Sequence, residues 1–179
     1  HIVNPQQSGF LDVSITYDAI GNPVTYLGKT LSWFGRQLVT FVNGSTTVTN
    51  TYDADGIRGT KTVNGETTTY QYIDGKLMYE SRPGIELYYF YDSYGNLTSI
   101  RYLEEGATTE YSYYVTTNIQ GDVLGIYTSQ GIQVAAYEYD AWGNRKIYSV
   151  SQVDGENVFT EVTYAQAVVL CPALNNPFG

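Results

Sequence analysis

The chain has 179 residues, 42% of them hydrophobic, with 19 Tyr and 18 Gly, and a formal net charge of −9. That balance excludes a phosphate-gripping surface, which needs clustered Lys and Arg, so no nucleic acid is expected as a partner; it speaks equally against an anionic membrane surface. No apolar run approaches the roughly 20 residues that span a bilayer, and membrane insertion is not expected.

The beginning, His1–Phe10, shows no secretory leader, and the abrupt start reads as a piece of a longer chain. The first ordered signal is Tyr17-Asp18-Ala19-Ile20-Gly21-Asn22, and its pattern returns as Tyr91-Asp92-Ser93-Tyr94-Gly95-Asn96 and Tyr139-Asp140-Ala141-Trp142-Gly143-Asn144. Tyr52-Asp53-Ala54-Asp55-Gly56 carries all but the last Asn. Each copy has the chemistry of a hairpin corner. Tyr ends an extended run, and Asp opens a type I turn by accepting from backbone N–H groups ahead of it. Gly then supplies the positive φ of a G1 bulge. Between these copies lie further corners. Gly35 follows Trp33, and Val42–Ser45 and Val63–Glu66 read as Asn-Gly type I′ hairpins. Asp74-Gly75, Pro83-Gly84, Glu105-Gly106, Gly121, Ser129–Gly131 and Asp154-Gly155 complete the series. Tyr72–Gly75 reads as a shortened copy of the Tyr-Asp corner and Tyr114–Gly121 as a stretched one.

Corners come about every ten residues, the spacing of an antiparallel meander. The glycines at 35, 56, 75, 95, 121 and 143 set a longer period of about twenty residues, two strands and two turns per repeat. The expected fold is all-β: a long antiparallel meander of β-hairpins over residues 1–164, with a C-terminal tail over 165–179. Roughly fourteen strands at about 4.8 Å each would reach nearly 70 Å if flat, so a curved open sheet or a segment of a spiral shell is expected. Tyr suits such a wall, because its ring covers the sheet while its hydroxyl tolerates water.

The recurring Tyr-Asp-x-x-Gly corners resemble the YD-repeat (Rhs) family over nearly the whole chain. Tyr113–Val123, followed by Tyr137–Gly143, is similar to the stretch leading into the Rhs-repeat-associated core of large bacterial surface and secreted proteins. The resemblance implies a β strip that spirals into a hollow shell, often around a variable C-terminal toxin. It also implies a secreted or cell-surface setting. The chain stops at Asn176-Pro177-Phe178-Gly179, where the family core would continue. The expected partners are therefore flanking repeats and the effector of a parent polypeptide, and open edge strands would pair edge to edge.

Other chemistry is sparse. With one Cys (Cys171) and one His (His1), neither a zinc cage nor a Cys-His pair is expected, and no cofactor or metal is. Asp18, Asp53, Asp92 and Asp140 could form a calcium ladder, but each stands alone in its turn, and turn capping explains them better. Glu104-Glu105 and Glu156/Glu161 could be a hydrolytic carboxylate pair, but nothing in their spacing makes them converge. The chain reads as non-enzymatic. Tyr17, Tyr52, Tyr91 and Tyr139, with the clusters at 88–91 and 111–114, are explained by packing between repeats. The rival reading is a carbohydrate-binding module using exposed Tyr and Trp, with Trp33 and Trp142 as the sugar contacts.

Overall fold

The computed structural model describes residues 15–163 and Gln166. It is an all-β antiparallel meander. Strand order in the open sheet is chain order, β1 to β15. The chain divides into two compact units between Tyr70 and Gln71.

The first unit holds β1 (Thr16–Tyr17), β2 (Pro23–Tyr26), β3 (Lys29–Phe34), β4 (Gln37–Asn43), β5 (Thr46–Tyr52), β6 (Arg58–Val63) and most of β7 (Glu66–Ile73), which runs past the division. Its strands are rich in Thr, and opposite Thr hydroxyls bond across the sheet at Thr16–Thr25, Thr51–Thr60 and Thr62–Thr67. Among its described residues the buried side chains are amides, Asn22 and Asn50. The Asn50 amide donates to the Leu38 carbonyl, and that of Asn22 to the Gly35 carbonyl.

The second unit continues with β8 (Lys76–Arg82), β9 (Ile85–Tyr91), β10 (Leu97–Glu104), β11 (Glu110–Thr117), β12 (Val123–Thr128), β13 (Gln133–Tyr139), β14 (Arg145–Val153) and β15 (Glu156–Val162). Among the described residues, the buried apolar side chains all belong to this unit. Register puts them on one face. Leu87 opposes Tyr102, Tyr89 opposes Ile100, Ile126 opposes Ala135, and Tyr137 opposes Ile147. Where no bulge intervenes, a period of two sends the alternate residues to the other face; a bulge between Leu97 and Ser99 lets Leu97 and Ile100 both be buried.

Two turns differ from the sequence reading. The chain turns at Leu27-Gly28, both at positive φ, between Tyr26 and Lys29. Leu carries no turn signal and is strained there, so the reading missed this corner and one strand: there are fifteen among the described residues. At Val42–Ser45 the two-residue loop is Gly44-Ser45 rather than Asn43-Gly44, because Asn43 pairs with Thr46. Of the two loop residues, Gly44 alone has positive φ, as a type II′ turn requires. Asn64-Gly65, with both φ positive, is the type I′ turn expected.

The tail expected over 165–179, including Cys171 and Asn176–Gly179, lies outside the described residues apart from Gln166. The Gln166 side-chain oxygen accepts from the Thr163 amide at 2.9 Å, and the Gln166 amide donates to Thr163 Oγ1 at 3.4 Å. That reciprocal pair is a capping box.

Candidate functional site

The Tyr-Asp corners share one geometry. In each, the Gly N–H donates to the Asp carbonyl three residues back: Gly21 to Asp18, Gly56 to Asp53, Gly95 to Asp92 and Gly143 to Asp140. The Asp N–H donates to the carbonyl four residues ahead, at Asn22, Ile57, Asn96 and Asn144. This is a type I turn closed by a bulge. The Asp carboxylate fastens it from within. One oxygen of Asp140 accepts from the amides of Trp142 and Asn144 at 2.8 Å each, and the other accepts from the Asn144 side chain at 2.7 Å. Asp18 and Asp92 do the same with Asn22 and Asn96. Asp53, whose motif lacks the Asn, keeps only the backbone pair to Asp55 and Ile57.

A twenty-residue period is two strands, so successive Tyr-Asp corners return to the same edge within each unit. The corner at Asn118–Asp122 joins that edge with its partners exchanged. Here Asn118 Oδ1 accepts the two backbone N–H groups, and the Asn118 amide donates to Asp122. It is a full corner with amide and carboxylate swapped and Thr117 in place of Tyr, not a stretched copy. Asp74-Gly75 closes as a two-residue turn with both φ positive.

The backbone N–H groups that converge on Asp18 and Asp92 hold both carboxyls below the usual range; for Asp140 the Asn144 side-chain amide is the first cause. A pKa lowered in the folded state adds stability that is complete above the unfolded value and is lost as pH falls through the folded one. Stability should therefore hold from neutrality down to the ordinary aspartate range and fall below it. In urea melts across acidic pH, the double variant Asp92→Asn/Asp140→Asn should lose less stability on acidification than the parent. An unchanged acid slope would refute the carboxylate role.

The repeat tyrosines split. The Tyr52 hydroxyl donates to the Leu38 carbonyl at 2.9 Å and that of Tyr91 to the Leu77 carbonyl at 2.8 Å, the same span of chain in both units. Burial pushes Tyr91 up to about 12, so it remains a donor. Tyr17 is exposed, and burial raises half-buried Tyr139. Tyr79–Tyr88 and Tyr102–Tyr111 make tilted cross-strand ring contacts. The two tryptophans also part. Trp33 Nε1 donates to the Pro23 carbonyl at 2.7 Å and ties β3 to β2. Trp142 stands on a corner tip, 90% exposed.

This corner is built the same way in both units. The chain is similar to a stretch of the WapA nucleases of Bacillus. It is 37% identical over 141 residues to the tRNA3(Ser)-specific nuclease WapA of Bacillus spizizenii and 37% identical over 143 residues to the tRNA nuclease WapA of Bacillus subtilis strain 168. It is 38% identical over 139 residues to the tRNA(Glu)-specific nuclease WapA of Bacillus subtilis subsp. natto. Each match covers 74% of this chain but only 6% of the WapA relative. No family model matches the sequence.

Of the carboxylates considered for hydrolysis, two have partners of other kinds. Glu104 accepts from the Tyr102 hydroxyl, and Glu161 lies 3.9 Å from Lys146. Among the described residues no group of three or more His, Cys, Asp or Glu could hold a metal ion. What the sequence reading did not resolve is the aromatic run at 88–91. Tyr89 is buried and donates to buried Glu80 at 3.1 Å. Tyr88 and Phe90 stand on the opposite face.

Proposed function

We propose that this chain is a non-enzymatic structural segment of a YD-repeat (Rhs) shell, part of a large bacterial secreted or surface protein that encloses or presents a C-terminal effector. The observation that carries this reading is the carboxylate-pinned corner repeated along one edge of each unit. Such a device sets strand length and register, and it is spent on architecture rather than on a reaction centre. The small share of each WapA relative that the chain spans supports it: a nuclease of that length has ample room for a catalytic part elsewhere. Flanking repeats of the parent polypeptide are the partners this reading requires.

The test is direct. The purified chain, incubated with total Bacillus tRNA with and without Mg²⁺, should leave the tRNA intact on a denaturing gel. Cleavage that survives repurification would end the structural reading. The acidic surface already disfavours tRNA as a ligand.

A further inference from the structure

Two tyrosines face each other across the β8–β9 ladder. Register sets Tyr79 directly opposite Tyr88, with Ser81 opposite Glu86 one step along the same face. The two rings meet with centroids 5.0 Å apart and planes tilted by 51°. Glu86 thus lies diagonal to Tyr79 and two residues from Tyr88. Its carboxylate accepts from both hydroxyls, Oε1 from Tyr79 and Oε2 from Tyr88, each at 3.0 Å. A depression of about 460 Å³ opens beside the pair, lined by Gln71, Met78, Tyr79, Tyr88, Tyr89 and Phe90. Both rings are half-buried, so they are held by the sheet and still reached from that depression.

We propose that Tyr79 and Tyr88 form a covalent modification site, which a one-electron oxidant such as a peroxidase with peroxide joins into dityrosine while Glu86 receives the phenolic protons. Each phenol gives one electron to the oxidant and its hydroxyl proton to the carboxylate. Two phenoxyl radicals result. They pair to form a C–C bond between ring carbons ortho to oxygen, and the hydrogens on those carbons move to the oxygens. The product is a biphenol lighter by two hydrogens. Glu86 passes the two protons on in turn, and peroxide, taking up two electrons and two protons, leaves as water.

Three observations carry this. The first is placement. The rings are neighbours on a ladder that fixes their spacing, and β9 is paired on its other side by β10. Coupling inside such a pair outruns the encounter of two radicals in solution, because the geometry is already set. The second is the carboxylate. A phenol that loses an electron becomes a strong acid, so a proton acceptor already bonded to it removes a barrier to oxidation. Here one acceptor serves both rings. The third is composition. One Cys cannot make an internal disulfide, and 19 Tyr supply the other side chain that oxidation can join.

Tyr102 and Tyr111 make an internal comparison. They too oppose each other across a ladder, but their centroids are 5.9 Å apart and the Tyr102 hydroxyl goes to Glu104 at 2.8 Å. A bond between Tyr79 and Tyr88 would close the β8–β9 hairpin across its ladder and lock the register of the two strands. Neither denaturant nor thiol reverses such a bond.

The experiment exposes the folded full chain to tris(bipyridine)ruthenium(II), light and persulfate, which together act as a small one-electron oxidant. Digestion at glutamate cuts after Glu80 and Glu86 and leaves the two tyrosines on separate peptides. Mass spectrometry then reads the link as the sum of those peptides less two hydrogens. The Tyr79–Tyr88 link is expected within monomeric chains, in roughly tenfold excess over any Tyr102–Tyr111 link. Tyr79→Phe and Tyr88→Phe should each abolish it. Tyr94→Phe, on a corner tip and 91% exposed, should leave it unchanged. Glu86→Gln still accepts hydrogen bonds but takes no proton, and should slow coupling about tenfold or more. Near-ultraviolet circular dichroism of each variant checks that the fold is kept. Equal or greater yield at Tyr102–Tyr111, cross-links confined to dimers, or an unchanged rate in Glu86→Gln would overturn the proposal. None of these results bears on the tRNA assay, so the coupling site and the shell reading fail separately.

Discussion

Replacing Tyr89 with Ala should cost about 3–5 kcal/mol, the largest single loss expected from the second unit's core. Tyr89 is 1% exposed, and its ring sits on the face shared by Leu87, Ile100 and Tyr102. Truncation removes the ring and leaves a cavity that a sheet pinned on both sides cannot close. Tyr89→Phe separates packing from polarity. It keeps the ring and removes the hydroxyl that donates to Glu80, a carboxylate itself 2% exposed, with Arg82 3.8 Å away. Burial, then the Glu80 charge, pushes the Tyr89 phenol upward, so the hydroxyl is a donor at every working pH. Losing that donor should cost about 1–3 kcal/mol. Denaturant melts should therefore rank Ala well below Phe. Equal losses in the two variants would mean that the buried carboxylate, not the ring, is what the core depends on.

Gly143→Val should be more damaging than the loss of the Asp140 carboxylate at the same Tyr-Asp corner. Gly143 has a φ of 80°, and a Cβ there would meet nothing within 4 Å. The cost is therefore backbone strain and not collision. A left-handed residue costs about 1–2 kcal/mol for an ordinary side chain and more when it is β-branched. Asp140→Ala should cost less: its bonds lie at the surface, where water replaces them, and the two backbone bonds of the corner remain. Gly95→Val adds a collision to the same strain, because its Cβ would come within 2.7 Å of Lys76 Nζ, although that flexible end can move. Urea melts of the three variants should place both Val substitutions below Asp140→Ala. The reverse order would show that the carboxylate, and not positive φ, makes the corner.

The local signals were legible because each is complete within five or six residues. An Asp accepts from amides two and four residues ahead, and a Gly takes a φ that other residues avoid, so Tyr17–Asn22, Tyr52–Gly56, Tyr91–Asn96 and Tyr139–Asn144 announce themselves wherever they stand. The twenty-residue period follows from their spacing, and with it the all-β meander. Leu27-Gly28 escaped because nothing local favours Leu at positive φ; the strands on either side hold it there. Asn118–Asp122 was misread because a swapped amide and carboxylate bond equally well but spell a different motif.

What only the tertiary structure decided is which face of each strand is covered. The run Tyr88-Tyr89-Phe90-Tyr91 reads as one aromatic cluster, yet a period of two gives Tyr89 to the core and Phe90 to the open face. Trp33 and Trp142 look alike in sequence, yet one ties two strands through its indole nitrogen and the other stands in solvent on a corner tip. Glu80 could not be read as buried, because its cover comes from Tyr89 on the next strand. Turn chemistry is set by neighbours in the chain. Burial is set by neighbours across the sheet, and those exist only once the register has formed.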